Sequence, residues 1–226
     1  RQLEMEKEEA RLDSLAAVGG VDMDSSRLVA KFGDFAAAGV GVEKLDTVET
    51  EKLRMVFTNR GGQVKSVELI GEQRYDSLPY KLFDGGEASL NFTLVAHNRI
   101  LNTKDLYFET EVSENDSAKI VMMKLPVAED KWFGITYTIP QDDYMTQMSV
   151  NAHNLEDVLA QNVQSLDMQW DQMIRQNEKG RKFELRYSAL NYKYAGDDVE
   201  RLSEGKSDRE ELKGKVQWVA FKDHFF

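Results

Sequence analysis

The chain has no cysteine among its 226 residues. That removes a disulfide scaffold, a thiolate metal site and a Cys/His nucleophile together. No run approaches the roughly 18 consecutive apolar residues that a bilayer-crossing helix needs; the longest candidate, Phe35 to Val42 (FAAAGVGV), is short and rich in small residues. Basic residues are outnumbered, 29 Lys and Arg against 40 Asp and Glu, for a net charge of −11. Nucleic acid and anionic membrane surfaces are therefore repelled at long range, and no local Lys/Arg cluster reverses this, so no nucleic-acid partner is expected.

Catalytic signatures are missing as well. His97, His153 and His224 are scattered, with no metal-ligand spacing among them. There is no GxSxG elbow, and Gly61-Gly62 and Gly85-Gly86 belong to no phosphate-binding pattern. The acidic pairs Asp142-Asp143, Asp197-Asp198 and Glu210-Glu211 sit in polar surroundings and read as solvated. Neither a metal nor another cofactor is implied. The chain also opens at Arg1 without a methionine or a signal-like apolar stretch, so a piece of a longer protein is expected.

What is present is a patterned β-protein. Charged residues at 31% and hydrophobic ones at 41% suit a folded globular chain, long enough for one large β-domain or two small ones. Residues 1–18 (RQLEMEKEEARLDSLAAV) are rich in Glu, Ala and Leu and stop at Gly19-Gly20, which predicts a helix ending near Val18. The glycine-bearing stretch from there to about Asp46 reads as a linker, with the core expected after it.

From Thr47 the period becomes two. Leu53, Met55 and Phe57 alternate with Arg54, Val56 and Thr58, the chain reverses at Gly61 and Gly62, and Val67 and Leu69 resume the alternation. Glycine tolerates the positive φ that such a reversal demands. Strands are predicted at 90–96, 106–112, 119–124, 133–139 and 144–150, and the same logic extends to Leu166, Met168, Trp170 and Ile174, and to Phe183, Leu185 and Tyr187. No helical segments separate them, so the sheet is antiparallel, a sandwich or barrel. Residues 154–164 read as a helical turn capped by Asn154 or as a loop, and Gly196 to Gly214 as a charged, mobile surface excursion.

The last segment, KVQWVAFKDHFF, places Trp218, Phe221 and Phe225 at i, i+3 and i+7, a helical stripe of large aromatics. Two readings stand side by side: a helix folded back to complete the core, and a junction toward a membrane span, where Trp and Phe suit the boundary between water and lipid.

With the pattern assembled, the chain closely resembles the large periplasmic domain of the YidC membrane protein insertase in its Bacteroidetes-like form. The resemblance covers nearly everything from Val48 to Phe226. Its carriers are VETEKLRMVFTNRGGQVKSVEL (48–69), NRILNTKDLYF (98–108), YMTQMSVN (144–151) and VQWVAFKDHFF (216–226). It implies a mainly β fold, an antiparallel β-supersandwich like that of galactose mutarotase, with an N-terminal helical lead-in and a short C-terminal helix. Residues 1–46 would be a lead-in after a first transmembrane helix, 47–214 the supersandwich, and 215–226 an amphipathic junction toward a second transmembrane helix.

The function it implies is that of a non-enzymatic accessory platform in the periplasm, for contacts with the Sec translocon, nascent membrane proteins or both, on an inner-membrane protein that inserts membrane proteins alone or with that translocon. Gly61 and Gly62 would be a structural turn, and Trp218, Phe221 and Phe225 the junction to the membrane core. The competing reading is a carbohydrate-binding or mutarotase-like sugar-active domain, which needs a His and a carboxylate facing one another across a concave sheet; His97 and His153 are its candidates. A third is a cleft for an extended peptide or aliphatic molecule beside exposed strand edges.

Overall fold

Among the described residues, period-two residues build fourteen strands, β1 to β14 in chain order. The computed structural model describes residues 25–163, 165–203 and 207–224; the helix expected over residues 1–18 lies outside them. All pairings are antiparallel. The first sheet runs β1 (Leu45–Glu49), β2 (Leu53–Thr58), β3 (Gln63–Gln73), β4 (Pro79–Phe83), and the second runs β10 (Gln147–His153), β9 (Lys131–Pro140), β8 (Ala118–Ala128), β7 (Glu109–Glu114). A third places β5 (Ala88–Ala96) between β11 (Asp167–Gln172) and β6 (Arg99–Asn102). The fold is mainly β, as expected.

The first and third sheets lay their apolar faces on the second. Phe57 of β2 meets Tyr137 of β9 at 5.1 Å between ring centroids, and Phe92 of β5 meets Phe133 of β9 at 6.4 Å. One continuous cluster results, in which Phe57, Val121, Met123, Leu125, Ile135 and Ile139 are fully buried. Burying a side chain of this size is worth roughly 1.5–3 kcal/mol. The alternation visible in the strands is thus the imprint of one shared core.

Residues 25–46 correct the linker reading. Residues 25–32 form a helix, α1, continued by a 3-10 helix over Gly33–Gly39. Because side chains three apart eclipse one another in a 3-10 helix, Phe32, Phe35 and Ala38 make one apolar row, and all three are buried in the core. The glycines serve contact: a Cβ on Gly39 would stand 2.5 Å from the Phe32 ring, and one on Gly41 the same distance from Tyr107.

The fourth sheet corrects three further expectations. It places β12 (Ala189–Tyr194) between β13 (Val199–Ser203) and β14 (Val216–Lys222). The C-terminal helix is therefore a strand: Phe221 pairs with Leu190 and Trp218 with Lys193. Its stripe of aromatics at helical spacing is overridden by the backbone partners that β12 offers. The charged excursion contains β13, and the sheet straddles the boundary expected at 214/215. Residues 183–187, expected as strand, lie in α2 (Arg181–Glu184) and the turn after it, where the Phe183 and Tyr187 rings, four residues apart, meet tilted at 5.2 Å between centroids. The Glu184 carboxylate accepts from the backbone N–H of Asn177 at 2.7 Å and of Glu178 at 3.2 Å, which draws this stretch into a compact turn.

Candidate functional site

The Gly-Gly turn lies inside the molecule. Gly61 and Gly62 are buried, with φ of 81° and 62°, and a Cβ on Gly62 would stand 3.0 Å from the Phe108 ring. Tyr137 donates its hydroxyl to the Gly62 carbonyl at 2.9 Å across the core, and burial pushes that hydroxyl's pKa up. The Asn59 side chain accepts from the Lys44 N–H at 2.7 Å and donates to the Val42 carbonyl at 3.1 Å, while the Phe108 N–H donates to the Asn59 carbonyl at 2.8 Å. The reversal ties the β1 lead-in to β7, and its chemistry is structural: every polar group just named has a partner within the fold.

The histidines do not converge. His97 meets Asp34 at 3.0 Å, and His153 meets Asp130 at 3.1 Å while stacking on Trp132. Both pairs are substantially solvent-exposed and sit on different turns. Neither makes the facing acid and base that sugar chemistry requires. His224 lies against Phe183 and Tyr187 instead.

At the C-terminal end, Trp218 and Phe221 fall on opposite faces of β14, because three residues of strand is an odd number. Phe221 packs edge-on against Trp170 of β11 at 4.7 Å, whereas Trp218 is partly exposed. Phe225 lies outside the described residues. Directly after β14, buried Asp223 accepts from the Tyr80 hydroxyl at 3.0 Å and from the Asn177 side-chain amide at 2.7 Å. The Tyr80 hydroxyl pKa is raised, first by burial and then by the Asp223 charge beside it. This latch holds the end of the chain to β4 of the main body. Next to it opens a cavity of about 770 Å³, in whose lining Arg175 pairs with Glu87 at 3.3 Å while the buried Arg74 Nε has no hydrogen-bond partner among the described residues.

An exposed apolar feature is a seam between two edge strands, β10 and β11. Met148, Val150 and Ala152 of β10 lie opposite Tyr137, Ile135 and Phe133 of β9 and so share their core-facing side. The β9 residues are 0–3% exposed, yet Met148 is 39% exposed. On the other wall, Met168 lies opposite Phe92 and Trp170 opposite Leu90. Phe92 is 3% exposed, whereas Met168 and Trp170 are 50% and 41% exposed. The core face runs out past its own cover along both edges. Two apolar cavities, of about 380 and 300 Å³, lie end to end there. Sequence reasoning raised a cleft beside exposed strand edges without placing it; the uncharged strand β10, with Met148 in it, was the visible signal.

Fold and geometry define an antiparallel β-domain with one main core, an appended small sheet and an open seam. Residues 46–226 match the family described as the YidC periplasmic domain. The chain belongs to that family and is a periplasmic domain. It is 42% identical over its whole length to the membrane protein insertase YidC of Parabacteroides distasonis, covering 36% of that protein. With the protein of the same name from Porphyromonas gingivalis the identity is 35% over 97% of this chain and 34% of the relative. With that of Prosthecochloris aestuarii it is 31% over 86% of this chain. The chain thus spans about a third of the length of the curated relatives it matches. Among the described residues no helix is long and apolar enough to cross a membrane.

Proposed function

We propose that the domain is a non-enzymatic accessory platform of a YidC-type insertase in the inner membrane, offering its surface to nascent membrane proteins and to the Sec translocon. The observation that carries this reading is the family match over residues 46–226 within relatives named membrane protein insertases, of which this chain is one third. The geometry supports it: the polar groups of the buried turn are spent on the fold, and the histidine pairs are exposed and apart.

In the same reading, residues 215–226 are the junction to the membrane core, with Trp218, Phe221 and Phe225 as its aromatic residues. Strand β14 and the Asp223 latch would transmit the position of the main body to whatever follows. The test uses the full-length insertase in cells. Deleting residues 25–224, the helical lead-in and all four sheets together, is expected to slow insertion of Sec-dependent substrates and to lower co-purification of translocon subunits; unchanged insertion and unchanged co-purification would refute the platform role. Asp223→Ala, which frees the latch, is expected to reproduce part of the defect.

A further inference from the structure

The seam between β10 and β11 has a direction, a length and a charge. Strand β10 bonds to β9 on one side, and no described strand pairs with its other edge. Its seven residues, QMSVNAH, contain no Asp, Glu, Lys or Arg, although charge on an edge strand is a common guard against strand addition. Thr146, Met148, Val150 and Ala152 line the seam from this side at a spacing of two. Across from them, Leu166, Met168 and Trp170 repeat the spacing. Two parallel rows with period two complement a chain that is itself extended, since only in a strand do alternate side chains share a face. At roughly 3.3 Å per residue the free edge of β10 spans about 23 Å.

The chemistry of the walls narrows the occupant further. Methionine is unbranched and polarizable, so it repacks against apolar partners of varied shape. The segment that forms both walls and the loops between them, residues 141–174, carries Asp142, Asp143, Glu156, Asp157, Asp167 and Asp171 and not one Lys or Arg; of these acids Asp157 is already paired with Lys131 of β9, and the others remain to set the charge. Such a surround favours cationic flanks on whatever binds and disfavours anionic ones. It also disfavours a second copy of this seam, which brings the same acids, and a fatty acid, which brings a carboxylate.

We propose that this seam binds an extended, apolar polypeptide segment flanked by lysine or arginine, laid as an added strand along the free edge of β10. The proposal rests on the platform reading and deepens it by naming the class of partner and the place.

The probe is a fluorescently labelled peptide, KKVLVTVLVKK, titrated into the chain and followed by anisotropy. Saturable binding is expected, weakening as salt rises. Its Glu-flanked counterpart should bind about tenfold more weakly at low salt. Combined Met148→Asp and Met168→Asp should weaken capture by at least about tenfold, because charge would line the apolar rows. Ile100→Asp, an exposed position on β6, should leave it unchanged. A peptide N-methylated at alternate residues, which cannot complete a ladder, should also fail to bind.

A benzophenone at the peptide's centre checks the address without altering the protein, and its crosslinks should map to residues 146–152 and 166–170. Equal binding of the Glu-flanked or N-methylated peptide overturns the proposal. So do crosslinks elsewhere, self-association of the chain through this seam, or capture of lauric acid with no capture of peptide. If removing the domain impairs insertion while no peptide is captured, the platform role survives and the seam proposal does not.

Discussion

Strands β7 and β10 close the two ends of the same sheet, and they end it in opposite ways. Strand β7 (ETEVSE) carries Glu109, Glu111 and Glu114, two of which reach back to the neighbouring strand: Lys119 meets Glu114 at 2.9 Å and Lys124 meets Glu111 at 3.7 Å. A chain adding to that edge would have to desolvate those carboxylates or pair them. Strand β10 carries no charge, and among the described residues no strand pairs with its free edge. The difference teaches that β10 is not open for want of a way to guard an edge, since the same sheet uses one three strands away. Leaving β10 bare costs the domain solubility at that edge, and this points to use.

The sharpest way to break the comparison is to ask whether β10 is truly outside the core. Ile135 and Val150 are register partners on one face, and Ile135 is fully buried. Ile135→Ala is expected to cost about 2–5 kcal/mol in urea unfolding and Val150→Ala less than about 1 kcal/mol. Equal losses would mean that something covers β10. The next effect is smaller and concerns association. Replacing Glu109 and Glu111 with Val should strip the guard from β7 and produce concentration-dependent self-association in sedimentation, with unfolding free energy within about 0.5 kcal/mol of the parent. Met148→Lys, at a 39% exposed position, applies the reverse change to β10. It should leave stability within the same margin and abolish peptide capture, because a charged side chain then stands in the apolar row.

How far these features were legible depended on range. The β2–β3 hairpin and strands β8 and β9 announce themselves because both the alternation and the turn lie within a few residues of each other. Strand β14 misled: Trp218, Phe221 and Phe225 fit a helical period, and the partner that makes it a strand, β12, lies more than twenty residues upstream. The 3-10 helix was hidden by its glycines and alanines, which look like a linker until Phe32 and Phe35 are seen filling the core at a period of three. The seam was illegible for a similar reason. Met148 and Met168 each resemble an ordinary half-buried strand residue, and only the pairing of β11 with β5, some seventy residues away in sequence, sets them face to face.

The smallest effect refines the guard on β7. The Lys119 ammonium, hydrogen-bonded to Glu114, holds that carboxyl's pKa below its ordinary value. A carboxylate whose pKa is lower in the folded than in the unfolded chain favours folding above the ordinary glutamate range, and that contribution fades as pH falls through the folded value. Glu114 is exposed, so the contribution to stability is slight; what matters for the edge is that its charge outlasts the usual acid titration. Lys119→Ala should move the Glu114 titration, followed by side-chain carbon chemical shifts, up toward the ordinary range. Self-association on acidification should then begin at a higher pH than in the parent chain. If the midpoint does not move, the pair is a bystander and the guard on β7 is the work of Glu109 and Glu111 alone.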